Sequence, residues 1–338
     1  MFIPVLSMAE PFIIDHTCTD LSQITASRID AAQADIKTYY AHTSHGRQLT
    51  IGLEIIASAD TTYAAAIGDN SLPGYTDRLC IYDYIGASPY FYWSSSRGIQ
   101  QTRDVLNSNP DINVSMWSWC GEPAELTAVD MQEYLDVMAG LEAANPGVVF
   151  IYMTGHAQFD GARGYNRYQR NEQIRAWVRN STNRVLFDFA DLDSWWFDSA
   201  TSSWEQATYE YANTMVPVEH PRFNDPSGPG HTTYESCEKK GRALWWMMAA
   251  IAGGDPGGGT VQPPVPDEIP EQLPVADEPI DQPDLEDVVP ENLPVSDDPV
   301  AQSDAEDEGS DQPQIDPQQN HDSSSDGPCF ISLVSPSS

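Results

Sequence analysis

The stretch YYAHTSHGRQLTIGLEII, residues 39–56, joins a short apolar run to an amphipathic segment through a small polar turn. The apolar run is typical of a buried β-strand, and the spacing of apolar residues after the turn is typical of an α-helix. The stretch therefore predicts a strand–turn–helix unit. Its turn consists of His42, Thr43, Ser44, His45 and Gly46.

The same alternation recurs along the chain. Further strand candidates lie in 78–86, 112–121, 147–156 and 184–193, and helix candidates lie in 97–109, 127–145, 170–180 and 239–253. Thr127 is a residue type that caps helices. Because the apolar runs are continuous, we expect a sheet that is covered on both faces. The pattern predicts an α/β three-layer sandwich with a five-stranded, mostly parallel sheet.

The composition changes near residue 254. Residues 254–338 contain no Lys or Arg, 21 Asp or Glu and 15 Pro. The chain has 51 acidic and 16 basic residues in all, so residues 1–253 keep a net charge of -14. Dense negative charge with many prolines predicts an acidic, disordered linker over 254–328. Residues 329–338, which include Cys329, are a candidate truncated C-terminal sorting segment.

The acidic balance excludes some partners and suggests a location. Nucleic-acid binding depends on Lys and Arg, so we expect no nucleic-acid partner. The sequence contains no apolar run of about 18 residues, so we expect no membrane span. Residues 1–12 are a candidate signal-peptide remnant, which favours a secreted, periplasmic or cell-surface protein. In such a location, one or two disulfides among Cys18, Cys80, Cys120 and Cys237 are an open alternative to free thiols.

Ser44 has the location of a catalytic nucleophile. It lies where a strand turns into a helix, and the free N–H groups of a helix start can stabilise an oxyanion. A serine nucleophile also needs an imidazole base, and His231 lies in a loop just before the last helix. The alternatives are that Ser44 only caps the helix and that His42 and His45 are structural.

Several stretches carry a family resemblance. The chain resembles the SGNH (GDSL-type) hydrolases, and more narrowly a group of secreted bacterial SGNH-hydrolase-like proteins of poorly defined function. The resemblance covers residues 13–253 in order and rests on IIDHTCTDLSQI, YAHTSHGRQLTIG, NVSMWSWCGE, VVFIYMTGHAQ, NEQIRAW, VLFDFADLD and HTTYESCEKKGRALWWMMAAIAG. It implies a flavodoxin-like SGNH-hydrolase fold for this domain, with a disordered C-terminal tail.

The resemblance also implies roles for individual residues. Ser44 would be the nucleophile and His231 the general base, with Asp225 as the nearest upstream acid to orient it. The oxyanion would be held around Gly86, Ser118 and Cys120. By their positions in the sequence, and not by the resemblance, His156 is a further candidate oxyanion donor, and His45, Trp195 and Trp196 are candidate substrate-binding residues. The chain departs from the family at two points: strand 3 ends without Gly-x-Asn, and position 228 is glycine instead of aspartate.

Three functions follow as alternatives. The first is an extracytoplasmic serine esterase that acts on a small-molecule or polysaccharide ester, without a cofactor, as a monomer whose tail associates with the cell surface. The second is a non-catalytic carbohydrate- or surface-binding domain on a degenerate hydrolase scaffold. The third is a metal-dependent hydrolase in which His42, His45, His156 and His231 converge on one ion.

Overall fold

The computed structural model describes residues 11–86, 89–181 and 183–253. The acidic linker, the candidate sorting segment and all but the last two residues of the candidate signal-peptide remnant lie outside these ranges. Within them, no helix combines the length and the apolar character that crossing a membrane requires.

One sheet forms the centre of the domain. Its strands are β1 Phe12–Ile14, β2 Lys37–His42, β3 Ala65–Asp69, β4 Leu79–Ile85, β5 Val114–Trp117, β6 Val149–Met153 and β7 Val185–Phe187. They are arranged in the order β1-β7-β6-β5-β2-β4-β3, and every neighbouring pair is parallel. The predicted α/β class and parallel sheet are confirmed, but the sheet has seven strands and not five.

The two additional strands lie at the edges of the sheet. β1 has only three residues, and β3 is half-buried to exposed along its whole length. A short strand or a half-exposed one has too weak an apolar pattern to be recognised as a buried strand.

Helices flank the sheet. They are α1 Ala26–Asp35, α2 Arg47–Ala59, α3 Pro89–Ser94, α4 Ser96–Ser108, α5 Ala128–Ala144, α6 Gly161–Arg179, α7 Phe189–Ser194 and α8 Tyr234–Ala252. α8 packs against α1 and α2, whereas α5 packs against α3 and α6. The predicted cap of α5 is confirmed, since the Thr127 side chain accepts a hydrogen bond from the Asp130 amide and the Asp130 side chain bonds back to Thr127.

Two antiparallel hairpins follow α7. Strand β8 Trp195–Asp198 pairs with β9 Ser203–Gln206, and β10 Thr208–Tyr211 pairs with β11 Thr214–Pro217. The strands are mostly half-buried or exposed, so they carry no continuous apolar run by which the sequence could have shown them.

Glycines bring α2 close to its neighbours. A Cβ atom at Gly52 would lie 2.0 Å from the carbonyl oxygen of Cys237, and one at Gly241 would lie 2.5 Å from the backbone of Gly52. Helices α2 and α8 therefore meet backbone to backbone at this point. At the start of α2, a Cβ at Gly46 would lie 2.3 Å from Cβ of His42, so the turn before α2 also depends on glycine.

Candidate active site

Five of the candidate residues meet at the carboxyl edge of the sheet. We call Ser44, His45, Cys120, His156 and His231 the central cluster. β2 pairs directly with β5, and β5 with β6, so the segments that follow these three strands lie side by side. The fifth residue arrives from the loop before α8. Parallel sheets build their sites at this edge because all strands end there.

Cys120 is the centre of the cluster. Its Sγ atom lies 3.1 Å from Nδ1 of His45 and 3.3 Å from Oγ of Ser44. The residue is half-buried. Its own backbone N–H donates to Oε2 of Glu122 at 2.9 Å and is therefore not free to hold an oxyanion. A thiol in contact with an imidazole is the arrangement that activates a cysteine nucleophile.

His45 lies between two other imidazoles. Its ring stacks on His156 with the centroids 4.0 Å apart and 12° between the planes, and the His231 centroid is 5.0 Å away. Burial lowers the pKa of His45, and the charges of Lys240 and Arg167 lower it further, while Asp193 and Glu122 act in the opposite direction. The lowered pKa favours the neutral ring, which can accept a proton.

His156 forms one side of this stack. Its Nε2 lies 3.1 Å from Oε1 of Gln158, and its Nδ1 is buried without a hydrogen-bond partner in the described part of the chain. Burial, followed by the charges of His45 and Arg167, holds its pKa well below the ordinary value. A neutral ring in this position supports His45 by stacking. A role as oxyanion donor stays a prediction.

His231 occupies a strained loop that packs on the Ser44 turn. Its φ angle is +70°, in the left-handed region that side chains other than glycine rarely adopt. The preceding Gly230 carbonyl accepts a hydrogen bond of 2.6 Å from Gln48 in α2, and a Cβ on Gly230 would lie 2.8 Å from the Ser44 carbonyl oxygen. Such strain is typical of functional sites, where the surrounding contacts hold it in place.

Ser44 is exposed, and its hydroxyl contacts the thiol of Cys120. The residue that caps α2 is Gly46, and no side-chain hydrogen bond contributes to that cap, so Ser44 is not there to cap the helix. Within the described ranges, no hydrogen bond joins Ser44 to His231. Among the described residues, the N–H groups of Ser44, His45 and Gly46 also have no backbone acceptor, so this turn keeps three donors.

Asp225 and Gly86 lie apart from these contacts. The Asp225 carboxylate accepts from the Ser227 amide at 3.1 Å, and its carbonyl accepts from Gly228 at 2.9 Å. Asp225 therefore stabilises its own turn, and no hydrogen bond to His231 exists among the described residues. Gly86 is exposed just after β4, and no hydrogen bond joins it to Ser44 in the part of the chain described.

The remaining predicted residues pack elsewhere. Ser118 is buried, and its Cβ would lie 2.8 Å from a Cβ on Gly46, so it supports the turn by packing. Trp195 stacks on His16 at a centroid distance of 4.4 Å. Trp196 stacks on His220 at 5.5 Å and lies under the Arg222 guanidinium at 4.8 Å. The predicted sugar-binding role of both tryptophans stays a prediction, since no described contact joins them to the central cluster.

The His42 ring has different partners from the imidazoles of the central cluster. Its ring is fully buried, with Nε2 2.6 Å from Oδ1 of Asp83 and Nδ1 2.8 Å from the Thr43 carbonyl oxygen. The four imidazoles named for a metal site therefore do not form one set of ligands. Among the described residues, the metal-binding types of side chain converge at a different place, in Asp15, His16 and Asp191.

We call Asp15, His16, Asp191, Trp195 and Lys239 the edge cluster. The His16 amide and Nδ1 both lie 2.7 Å from Oδ1 of Asp191, and Asp15 accepts two hydrogen bonds from Thr17. The Lys239 ammonium donates to the carbonyls of Leu192 and Trp195. The two carboxylates already have basic or donor partners here, so we assign no ion to the edge cluster.

A buried charged network beside the central cluster was missed by sequence reasoning. Asp193, in α7, pairs with Lys240, in α8, at 2.6 Å, and both side chains are at most 4% exposed. Glu219 lies near Asp193. Burial, and then the charge of Asp193, raise the pKa of Glu219 to about 7. The only signal in the sequence was an acidic residue at the end of the strand candidate 184–193.

The thiols Cys18, Cys80, Cys120 and Cys237 are all free. Comparison with known protein families and with curated proteins finds no match to this chain.

Proposed function

We propose that the protein is a hydrolase of carboxylic esters that reacts through a covalent acyl-thioester on Cys120, with His45 as the base. The observation that carries this proposal is the contact of 3.1 Å between Sγ of Cys120 and Nδ1 of His45. Sequence reasoning gave the nucleophile to Ser44, and the family resemblance supports the ester as substrate. The thiol is preferred because it is the nucleophile in contact with an imidazole.

The reaction divides into two steps. In the first, His45 takes the thiol proton, the sulfur attacks the ester carbonyl carbon, and the imidazolium returns the proton to the departing alcohol. In the second, His45 takes a proton from water, the hydroxide attacks the thioester, and the thiol is re-formed as the carboxylic acid leaves. The three amides at residues 44–46 are the candidate oxyanion donors in both steps.

Ser44 and His231 support this reaction in the proposal. The Ser44 hydroxyl, 3.3 Å from the sulfur, can donate a hydrogen bond to the thiolate. The exposed His231 ring lies on the solvent side of His45, where it contacts the substrate or the attacking water. An acylated polysaccharide as substrate and an extracytoplasmic location belong to the same proposal and rest on the family resemblance and on the acidic tail.

The test is hydrolysis of p-nitrophenyl acetate by the full chain and its variants. We expect Cys120→Ala to lose activity by about 10³-fold or more and Ser44→Ala by about 10-fold or less. Cys80→Ala, which removes a buried thiol in β4, is the matched control and should keep wild-type activity. Mass spectrometry of a rapidly quenched reaction should find the acetyl group on the peptide that contains Cys120.

The opposite pattern would give the reaction to the serine. An inactive Ser44→Ala variant beside an active Cys120→Ala variant, with the acetyl group on Ser44, would overturn the thiol mechanism. Loss of activity on addition of EDTA would favour the metal-dependent alternative instead. A wild-type protein without activity on any ester, but with affinity for a glycan, would favour the binding domain.

A further inference from the structure

Asp193 joins three parts of the structure that surround the central cluster. Its carboxylate oxygen Oδ2 accepts a hydrogen bond of 2.9 Å from the amide of Ala157, the residue after His156. Its other oxygen, Oδ1, lies 2.6 Å from the ammonium of Lys240. Its backbone carbonyl accepts from the His220 amide at 2.9 Å. One buried carboxylate therefore fixes the loop that carries His156 to α8.

Lys240 completes the support from the other side. Its side chain is fully buried, and its ammonium also donates to Oγ of Ser236 at 2.6 Å. A buried ion pair holds its geometry only when each charge is paired and hydrogen-bonded. The carboxylate of Asp193 is held on one oxygen by the Ala157 amide and faces the charge of Lys240 with the other, which restrains the loop that it binds.

Glu219 extends the support to His231. Its amide donates to the Ala157 carbonyl at 3.0 Å, so Ala157 is held on both sides. Its carboxylate accepts from the hydroxyl of Thr232, next to His231, at 2.8 Å. Glu219 thus joins the loop that carries His156, through its backbone amide, to the loop that carries His231, through its carboxylate.

We propose that Asp193, held in place by Lys240, is the positioning carboxylate for His45, a role like the one that the sequence assigned to Asp225 toward His231. The proposal rests on the proposed function, because it concerns the base of that reaction. Asp193 acts by fixing the loop on which His45 stacks and by placing a negative charge near the ring. Asp225 has neither contact, since its carboxylate stabilises its own turn.

Charged residues from four parts of the fold act on His45. Asp193 in α7 and Glu122 after β5 are negative, whereas Lys240 in α8 and Arg167 in α6 are positive. The neighbours at closest range are the rings of His156 and His231 and the thiol of Cys120. Removing Asp193 or Lys240 therefore changes the field at His45 in opposite directions.

The test is an NMR titration of His45 in the full chain with ring-labelled histidine, assigned with the variant His45→Gln. We expect Asp193→Asn to lower the His45 pKa, and Lys240→Met to raise it, each by at least about half a pH unit. Asp225→Asn is the matched control and should leave the pKa of His45 unchanged. The proposal would be overturned if Asp225→Asn shifted the pKa of His45 and neither of the other two variants did.

A fallback variant and a kinetic measurement complete the test. If Asp193→Asn does not fold, Lys240→Met alone decides, and an unchanged His45 titration in that variant refutes the proposal. In the active enzyme, Asp193→Asn should also move the acid limb of kcat/KM to lower pH. The titration needs no substrate, so shifted pKa values in a protein without esterase activity would refute the proposed function and not the positioning of His45.

Discussion

The central cluster and the edge cluster both place histidine near charged groups at the carboxyl ends of strands, but they differ in what the imidazole contacts. In the edge cluster, His16 contacts a carboxylate through both its amide and its ring, and the ring is stacked on Trp195. In the central cluster, the His45 ring contacts a thiol and two other imidazole rings. The first arrangement completes the hydrogen bonding of a loop, whereas the second brings a thiol and an imidazole into contact.

The comparison teaches that position in the fold does not identify a site by itself. Asp15 and His16 follow β1 as directly as the Ser44 turn follows β2, yet their contacts are hydrogen bonds that hold the loop, from Thr17 to Asp15 and between His16 and Asp191. The two clusters differ in the atom that contacts the ring nitrogen of the histidine. Three experiments on matched residues test whether this difference matters.

The largest expected difference is in catalysis. His45→Gln should lower kcat/KM for p-nitrophenyl acetate by about 10²–10⁴-fold, because it removes the base. His16→Gln in the edge cluster should change it by less than about threefold, because His16 contacts no residue of the central cluster. Steady-state kinetics on both purified variants decide this. Similar losses in the two would show that the clusters form one functional unit.

The next difference is in stability and concerns two adjacent lysines. Lys240→Met leaves Asp193 buried without its counter-charge and should lower the free energy of unfolding by about 3–5 kcal/mol. Lys239→Met in the edge cluster removes hydrogen bonds to two carbonyls but also removes the burial penalty of the ammonium at pH 7, so it should change the free energy of unfolding by less than about 1 kcal/mol. Urea titrations at pH 7 measure both. Equal losses would mean that the buried pair is no more critical than an ordinary hydrogen bond.

The smallest difference is in how stability depends on pH. Stability should fall with rising pH because of Glu219, beside the central cluster, and rise with pH because of Lys239, in the edge cluster. Burial, and then Asp193, raise the pKa of Glu219 from 4.5 to about 7, so the folded state holds a proton there that the unfolded state releases. Stability should therefore fall as the pH rises from about 4.5 to 7. Burial lowers the pKa of Lys239 from 10.5 to about 7, so its contribution to stability should increase as the pH rises from about 7 to 10.5.

Melting temperatures of three proteins check both signs. Relative to wild type, Glu219→Gln should flatten the acidic part of the profile, and Lys239→Met should flatten the alkaline part, each by up to several °C. The unchanged half of each profile is its internal control. A variant that flattens the wrong half would contradict the assignment of these two groups.

Much of the fold followed from the sequence because its signals are local. The five inner strands are continuous apolar runs, and the Thr127 cap lies within three residues of its partner. β1 and β3 were missed because edge strands are short or half-exposed, and the hairpins from Trp195 to Pro217 have no apolar run. Strand order then brings the turn of Ser44 beside Cys120, so residues that the sequence placed at the ends of different strands come together.

The contacts inside the site could not be predicted in the same way. The sequence linked His231 to Asp225 because they are close in the chain, but that aspartate accepts from its own turn. Asp193 lies 36 residues from Ala157 in sequence, and its bond to that amide depends on how α7 packs. The choice between the hydroxyl of Ser44 and the thiol of Cys120 likewise depends on side-chain distances below 4 Å, which no spacing pattern reveals.

The glycine contact between α2 and α8 has a consequence for engineering this protein. α2 begins at the Ser44 turn and α8 begins just after the His231 loop, so the crossing at Gly52 and Gly241 sets how far apart those two segments lie. A single added methyl group, about two helical turns from the Ser44 turn, would push the helices apart and separate that turn from the His231 loop. Libraries that seek new substrates should therefore leave both glycines unchanged.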